Sequence, residues 1–302
     1  MQTYFVTQQV VVLAILMVIG YIATKRNIID DVISKGMTQI LTAIALPSLI
    51  LSSFNMTYSE DTLKWVLLIF TYSIGIHFIT MILAKLVFVK YPKGKNVVLR
   101  FGTIFPNSGF MGLPLIYELF GQEAVLYASV FMIPYHTLLW TYGESILSKE
   151  KSESPIKKLA KTPALIAVLV GTILFILKIQ LPYVVSKPLS MLSALTSPLS
   201  MLILGEKITK IKLKEIIADK DIYYGCFVRL LVTPIITLIA LRAVNTPELL
   251  LNIVVIMQSL PSAILLVVLT QKHEGEIEFA SKFTIISHIV SIITIPIISM
   301  FL

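Results

Sequence analysis

Apolar residues fall along this chain in blocks too long for the core of a soluble domain. Ten blocks stand near the ~20 residues a helix needs to cross a hydrocarbon layer. They are roughly Tyr4–Thr24, Val32–Phe54, Leu63–Val89, Val97–Leu119 and Ala124–Leu147, then Pro163–Ile179, Val184–Gly205, Ile222–Ala243, Leu249–Thr270 and Phe279–Phe301. The pattern predicts an all-α polytopic membrane protein with ten transmembrane helices. The longest and most polar interval, Ser148–Thr162, lies at the midpoint, so the spans divide five and five. With an odd number in each half, two similar halves must sit in the membrane in opposite orientations. The expected organisation is one five-helix repeat over 1–147, a cytoplasmic linker over 148–162, and a second, inverted repeat over 163–302.

Two blocks carry polar and helix-breaking residues at their middles. Span four reads FGTIFPNSGFMGLPL over 101–115, and span nine reads MQSLPSAI over 257–264. Proline removes a backbone donor and clashes with the preceding turn, so a continuous helix is not expected through Pro106 or Pro261. Backbone freed from its ladder cannot face lipid and must be buried in protein or line a cavity. Interruptions at corresponding places in two halves are the sequence mark of a transporter's binding site. Spans two and seven match more weakly, each holding a proline in ALPSLILSSF and TSPLSMLILG.

Charge then orients the chain. The formal net charge is +8, but the basic residues cluster in short loops between apolar runs, which argues for membrane loops rather than nucleic acid. Of 25 Lys and Arg, 20 fall in loops on one side, four (Lys64, Lys178, Lys187, Arg242) on the other, and Arg229 inside a span. Basic residues stay in the cytoplasm, so both termini are expected outside a plasma membrane. The first span has no basic residue ahead of it and is too long for a signal-peptide core, so it is expected to be retained. The single cysteine, Cys226, excludes an internal disulfide and a thiolate metal cluster.

The candidate substrate-binding residues are Pro106, Asn107, Ser108 and Gly109 in span four, His136 in span five, and Gln258, Ser259, Pro261 and Ser262 in span nine. If both spans break, a second half-helix starts near the midplane in each, with unpaired N–H groups and the positive dipole end pointing inward. Asn107 or Ser108 is expected to cap its half-helix and keep donors for a ligand. Two converging helix N-termini with no carboxylate at that depth suit an anion. A cation exchanger would be expected to bury a central acid, whereas Glu118, Glu144 and Glu206 lie towards span ends, where interfacial solvation is expected. Arg229 either neutralises a substrate or snorkels to the interface, with snorkelling favoured. His136 can donate to a carboxylate, carry a proton or bond a neighbouring helix; His77 and His288 are expected to be structural.

The motif PNSGFMGLPL, followed by FGQEA and by LLW in span five, resembles the auxin efflux carrier family of plants, bacteria and archaea. GYIATKRNIIDD, ALPSLILSS, PLSMLILGEKI and RLLVTPII are similar too, so the likeness runs over nearly the whole chain. It implies crossed helices four and nine, a scaffold of helices 1, 2, 6 and 7 that often dimerises, and a transport domain of helices 3–5 and 8–10. It also implies that His136, four residues before Trp140, helps line the pocket. Where many relatives carry a polar residue after the span-nine proline, this chain has Ile264 and Leu265. The function expected is secondary transport of small organic anions, auxin-like or malate-like, with the lipid bilayer and a second copy as partners and no cofactor or metal. Rival readings are a sodium-coupled symporter of the bile-acid type and a receptor that binds without transporting. No GxxxxGK[ST] loop, HExxH site or other enzyme motif is present.

Overall fold

The computed structural model describes residues 2–55, 60–148, 154–209 and 219–302. The linker lysines Lys149 and Lys151 and the loop lysines Lys210, Lys212 and Lys214 lie outside the described residues. Among the described residues the regular structure is helical, with one isolated antiparallel β-bridge between Pro106 and Ser262. Among the described residues, seven helices are long and apolar enough to cross a membrane: Tyr4–Lys25, Asp31–Phe54, Asp61–Val87, Ser108–Leu147, Tyr183–Ile208, Lys220–Ala243 and Ile277–Ser299. The chain is a polytopic membrane protein. Lys93–Ile104, Pro163–Ile176, Glu248–Ser259 and Leu265–Lys272 are shorter.

The 40-residue run Ser108–Leu147 is not one straight helix. Gly121 has φ 78° and ψ −172°, a conformation that penalises any Cβ, and the chain turns there. Beside the turn, the Gln122 side-chain amide donates to the Ser52 carbonyl at 2.5 Å. Prolines widen other helices without ending them. Pro47, Pro114 and Pro234 each follow a π-helical turn (Leu41–Ala45, Ser108–Gly112, Val228–Val232) that absorbs the missing N–H and the ring's clash. At the last of these the Thr233 hydroxyl donates to the Val228 carbonyl at 3.0 Å.

Helices Gln2–Lys25 and Thr196–Ile208 approach backbone to backbone at Gly20 and Gly205, where a Cβ on either glycine would overlap the other helix's main chain. Close packing through small residues is how helices associate where lipid removes the hydrophobic incentive. Outward faces are apolar: Val11, Val12, Ile15, Val18, Ile19 and Ile22 on the first helix are all exposed.

Candidate functional site

Both expected breaks are present, and they meet. Helix Lys93–Ile104 stops before Pro106, and helix Glu248–Ser259 stops before Pro261. The Asn107 N–H donates to the Pro261 carbonyl at 2.8 Å, and the Ala263 N–H donates to the Phe105 carbonyl at 2.9 Å. Each break thus supplies the backbone partner that the other lost, which is what hydrocarbon surroundings demand. Asn107 itself, at φ −76° and ψ 59°, forms an inverse γ-turn closed by Ser108 N–H to Pro106 carbonyl at 2.8 Å.

Three carbonyls of the breaks are met by two long side chains. Arg229 donates through Nε to the Leu260 carbonyl (2.9 Å) and through Nη1 to the Thr103 carbonyl (3.0 Å) and to Gln258 Oε1 (3.2 Å). The Tyr135 hydroxyl donates to the Pro106 carbonyl at 2.8 Å. Arg229 is completely buried and its Nη2 has no partner. It does not snorkel, contrary to the sequence expectation. Two carbonyls freed by the helix breaks, together with the Gln258 amide oxygen, give it more than the interface would, so the charge stays inside.

Asn107 occupies the cap position of the second half-helix, but its side chain does not cap it. Its backbone carbonyl takes the N–H groups of Met111 (3.2 Å) and Gly112 (3.1 Å), while its side-chain Nδ2 lies 2.9 Å from His288 Nε2. His288 Nδ1 stands 2.8 Å from the Thr284 carbonyl. A carbonyl only accepts, so Nδ1 carries the proton and Nε2 of the neutral ring accepts from Asn107. His288, expected to be structural, is the hydrogen-bond partner of the Asn107 side chain.

A cavity of about 240 Å³ lies against the crossing, walled by Asn107, Gly109, Tyr135, His136, Trp140 and Ile264 among others. Neither ring nitrogen of His136 has a partner, nor does Trp140 Nε1. A second cavity, of about 330 Å³, is lined by His288, Thr284, Ser281, Gln271, Lys207 and again Ile264. Of the candidate residues, Asn107, Gly109 and His136 face the first cavity. Pro106, Ser108, Gln258, Ser259, Pro261 and Ser262 are buried within the crossing and contribute to neither wall. Gln258 is taken up by Arg229, the Ser259 hydroxyl by the Ile256 carbonyl (2.8 Å), and the Ser262 N–H by Ser287 Oγ (3.1 Å).

The acids at the span ends also differ from expectation. Glu144 and Glu206 are each 1% exposed rather than solvated. Glu144 gathers Lys158, Lys272 at 3.2 Å and His273 at 3.4 Å. Glu206 accepts from the Ser34 hydroxyl at 2.9 Å and pairs with Lys207 at 3.1 Å. Burial is tolerated because each has cations or hydroxyls in reach. Glu118 accepts from Ser197 at 3.0 Å.

Comparison with known proteins decides the family. The membrane transport protein family matches residues 5–157 and 152–299, nearly the full length. The chain belongs to this family, that of the auxin efflux carriers. An uncharacterized transporter of Methanocaldococcus jannaschii is 26% identical over 300 residues, 95% of each chain. An uncharacterized transporter of Methanothermobacter thermautotrophicus is 25% identical over 310 residues, 98% of each chain. The protein is a membrane transporter by family, and the paired breaks are its candidate transport site.

Proposed function

We propose that this auxin efflux carrier family member is a secondary transporter of small organic anions, mono- or dicarboxylates, that binds the carboxylate beside Asn107 and works by alternating access. The observation that carries this reading is the buried charge of Arg229. Its hydrogen-bond partners are all neutral oxygens, so one positive charge stands at the crossing without a balancing acid, and a buried unbalanced charge favours an opposite one nearby. The half-helix that starts at Ser108 adds its positive end. Donors free for a ligand at the first cavity are the side chains of His136 and Trp140. The reading includes ten membrane crossings as two inverted five-helix repeats, with Gly121 separating two crossings within 108–147 and each broken pair counted once. It also includes both termini outside a plasma membrane, which the lysine distribution supports. Helices 1, 2, 6 and 7 serve as the scaffold, whose exposed apolar face on the first helix fits lipid or a second copy.

The test pairs acids with their neutral amides on the purified full chain. Malate and indole-3-acetate should raise the melting temperature, as any ligand of the folded state does, while malamide and indole-3-acetamide should not. Labelled malate should then exchange across proteoliposomes carrying the protein and not across empty ones. Equal stabilisation by acids and amides would overturn the anion reading. Binding without exchange would mark a receptor and overturn transport.

A further inference from the structure

We propose that His288 is a proton switch for the anion site, so that a proton travels with the anion; this rests on the proposed anion reading at Asn107. The geometry makes the two events one. With the imidazole neutral, Nε2 accepts and Asn107 must present Nδ2 to it at 2.9 Å. A donor of Asn107 is then spent on the histidine rather than on a ligand. When water in the second cavity delivers a proton to Nε2, that nitrogen becomes a donor, because Nδ1 already carries its proton for the Thr284 carbonyl. Two donors cannot face each other, so the asparagine amide must turn over and accept through Oδ1. The turn frees both Nδ2 protons for a carboxylate and sets a positive ring behind them. No bond other than N–H is made, and the proton returns to water when the anion leaves and the amide turns back.

The surroundings suit this exchange. Asn107 lines one cavity and His288 the other, so ligand and proton reach the pair through different cavities. The charged groups placed to act on His288 are few. Lys207, from helix Thr196–Ile208, lines the same cavity and is paired with Glu206. Arg229, from the turn Val228–Val232 that packs on helix Ile277–Ser299, is fixed on the crossing carbonyls. Helix Leu265–Lys272 sends Gln271 and no charged side chain to that wall, and helices Lys93–Ile104, Gln2–Lys25, Lys220–Phe227 and Glu248–Ser259, which also pack on helix Ile277–Ser299, send none. His288 therefore meets its proton with no buried acid to hold it permanently. The bound anion supplies the compensating charge, which links the two occupancies.

The test uses the full chain in two arms. In proteoliposomes with the potential clamped at zero, an inward gradient of one pH unit should accumulate labelled malate about tenfold if one proton moves with each anion, since tenfold is the free energy of one pH unit. His288→Gln, whose side chain cannot change charge, should lose that accumulation and show a flat rate between about pH 5 and 8. Proton-driven accumulation by the variant, or malate exchange by wild type with no proton movement, would overturn the switch while leaving the anion site standing. The second arm needs no transport. In histidine- and asparagine-labelled protein in lipid nanodiscs, acidification should convert His288 from the Nδ1–H form to the doubly protonated ring. The Asn107 side-chain amide should shift at the same midpoint, with His288→Gln abolishing both changes. An Asn107 signal that ignores His288 protonation overturns the switch whatever the liposomes show.

Discussion

The breaks at Pro106 and Pro261 are partners in backbone and unequal in chemistry. Each gives the other one hydrogen bond, and both are held by Arg229. Beyond that they diverge. The first break turns Asn107 and Gly109 toward a cavity, and its Pro106 carbonyl has two donors, Tyr135 and Ser108. The second break turns Gln258, Ser259 and Ser262 inward and shows the cavities only Ala263, Ile264 and Leu265. In the proposed reading the first break recognises and the second supports. The two breaks need keep only the backbone pairing in common, because hydrocarbon enforces that on both; nothing enforces equal side chains.

The comparison can be broken most forcefully at the residue both breaks share. Arg229→Met orphans three acceptors at once, each worth roughly 1–3 kcal/mol when buried without a donor. The variant should fail to give a monodisperse peak in size-exclusion chromatography or should melt far below the parent, with Arg229→Lys intermediate. Normal melting of Arg229→Met would mean that the crossing holds itself. Ser287→Ala comes next and touches the second break alone. It leaves the Ser262 N–H without its acceptor, at about 1–3 kcal/mol, read as a drop in melting temperature. Tyr135→Phe touches the first break alone and should cost less, about 0.5–1.5 kcal/mol, because Ser108 still donates to the Pro106 carbonyl. Were the tyrosine variant the less stable of the two, the first break would be the structural one.

The smallest effect is expected outside the crossing. Lys95 bridges Asp219 at 3.0 Å and Asp221 at 2.6 Å with about a third of each side chain exposed. The hydrogen bonds that Lys95 donates to Asp221 and then to Asp219 raise its pKa. A raised lysine contributes its stability fully below the ordinary value of about 10.4 and loses it only as pH climbs past that value through the raised one. Lys95→Met should therefore lower stability by less than about 1 kcal/mol, equally at pH 6 and pH 9. A difference between those two pH values in the melting temperature of wild type relative to variant would contradict that assignment.

Much of this was legible in the residues. Proline within an apolar run with Asn, Ser and Gly beside it marks a break from local chemistry alone, and PNSGFMGLPL identified the family. Helix length and lysine placement likewise need only the chain's own order. What stayed hidden was partnership across distance. Arg229 looked like a costly charge because its compensation is three oxygens on other segments, two of them carbonyls that exist only after the helices break. The contact between His288 and Asn107 was hidden because 181 positions separate them. Asn107 looked like a cap because cap geometry is local, whereas the histidine that claims its side chain is not. Glu144 carried no sign of burial since its cations come from the linker and from the end of helix Leu265–Lys272.

Anion binding at the first break is tested most directly by Asn107→Asp. The substitution keeps size and shape but puts a carboxylate where a carboxylate is expected to bind, and a protonated His288 can pair with it, so the fold is preserved. The variant should melt within a few degrees of the parent and lose the stabilisation by malate and indole-3-acetate. Loss of a hydrogen bond to a charged group alone weakens binding roughly 10- to 150-fold, and like-charge repulsion adds to that. Parent-like stabilisation of Asn107→Asp by either acid would contradict the account and leave the break a structural crossing without a substrate.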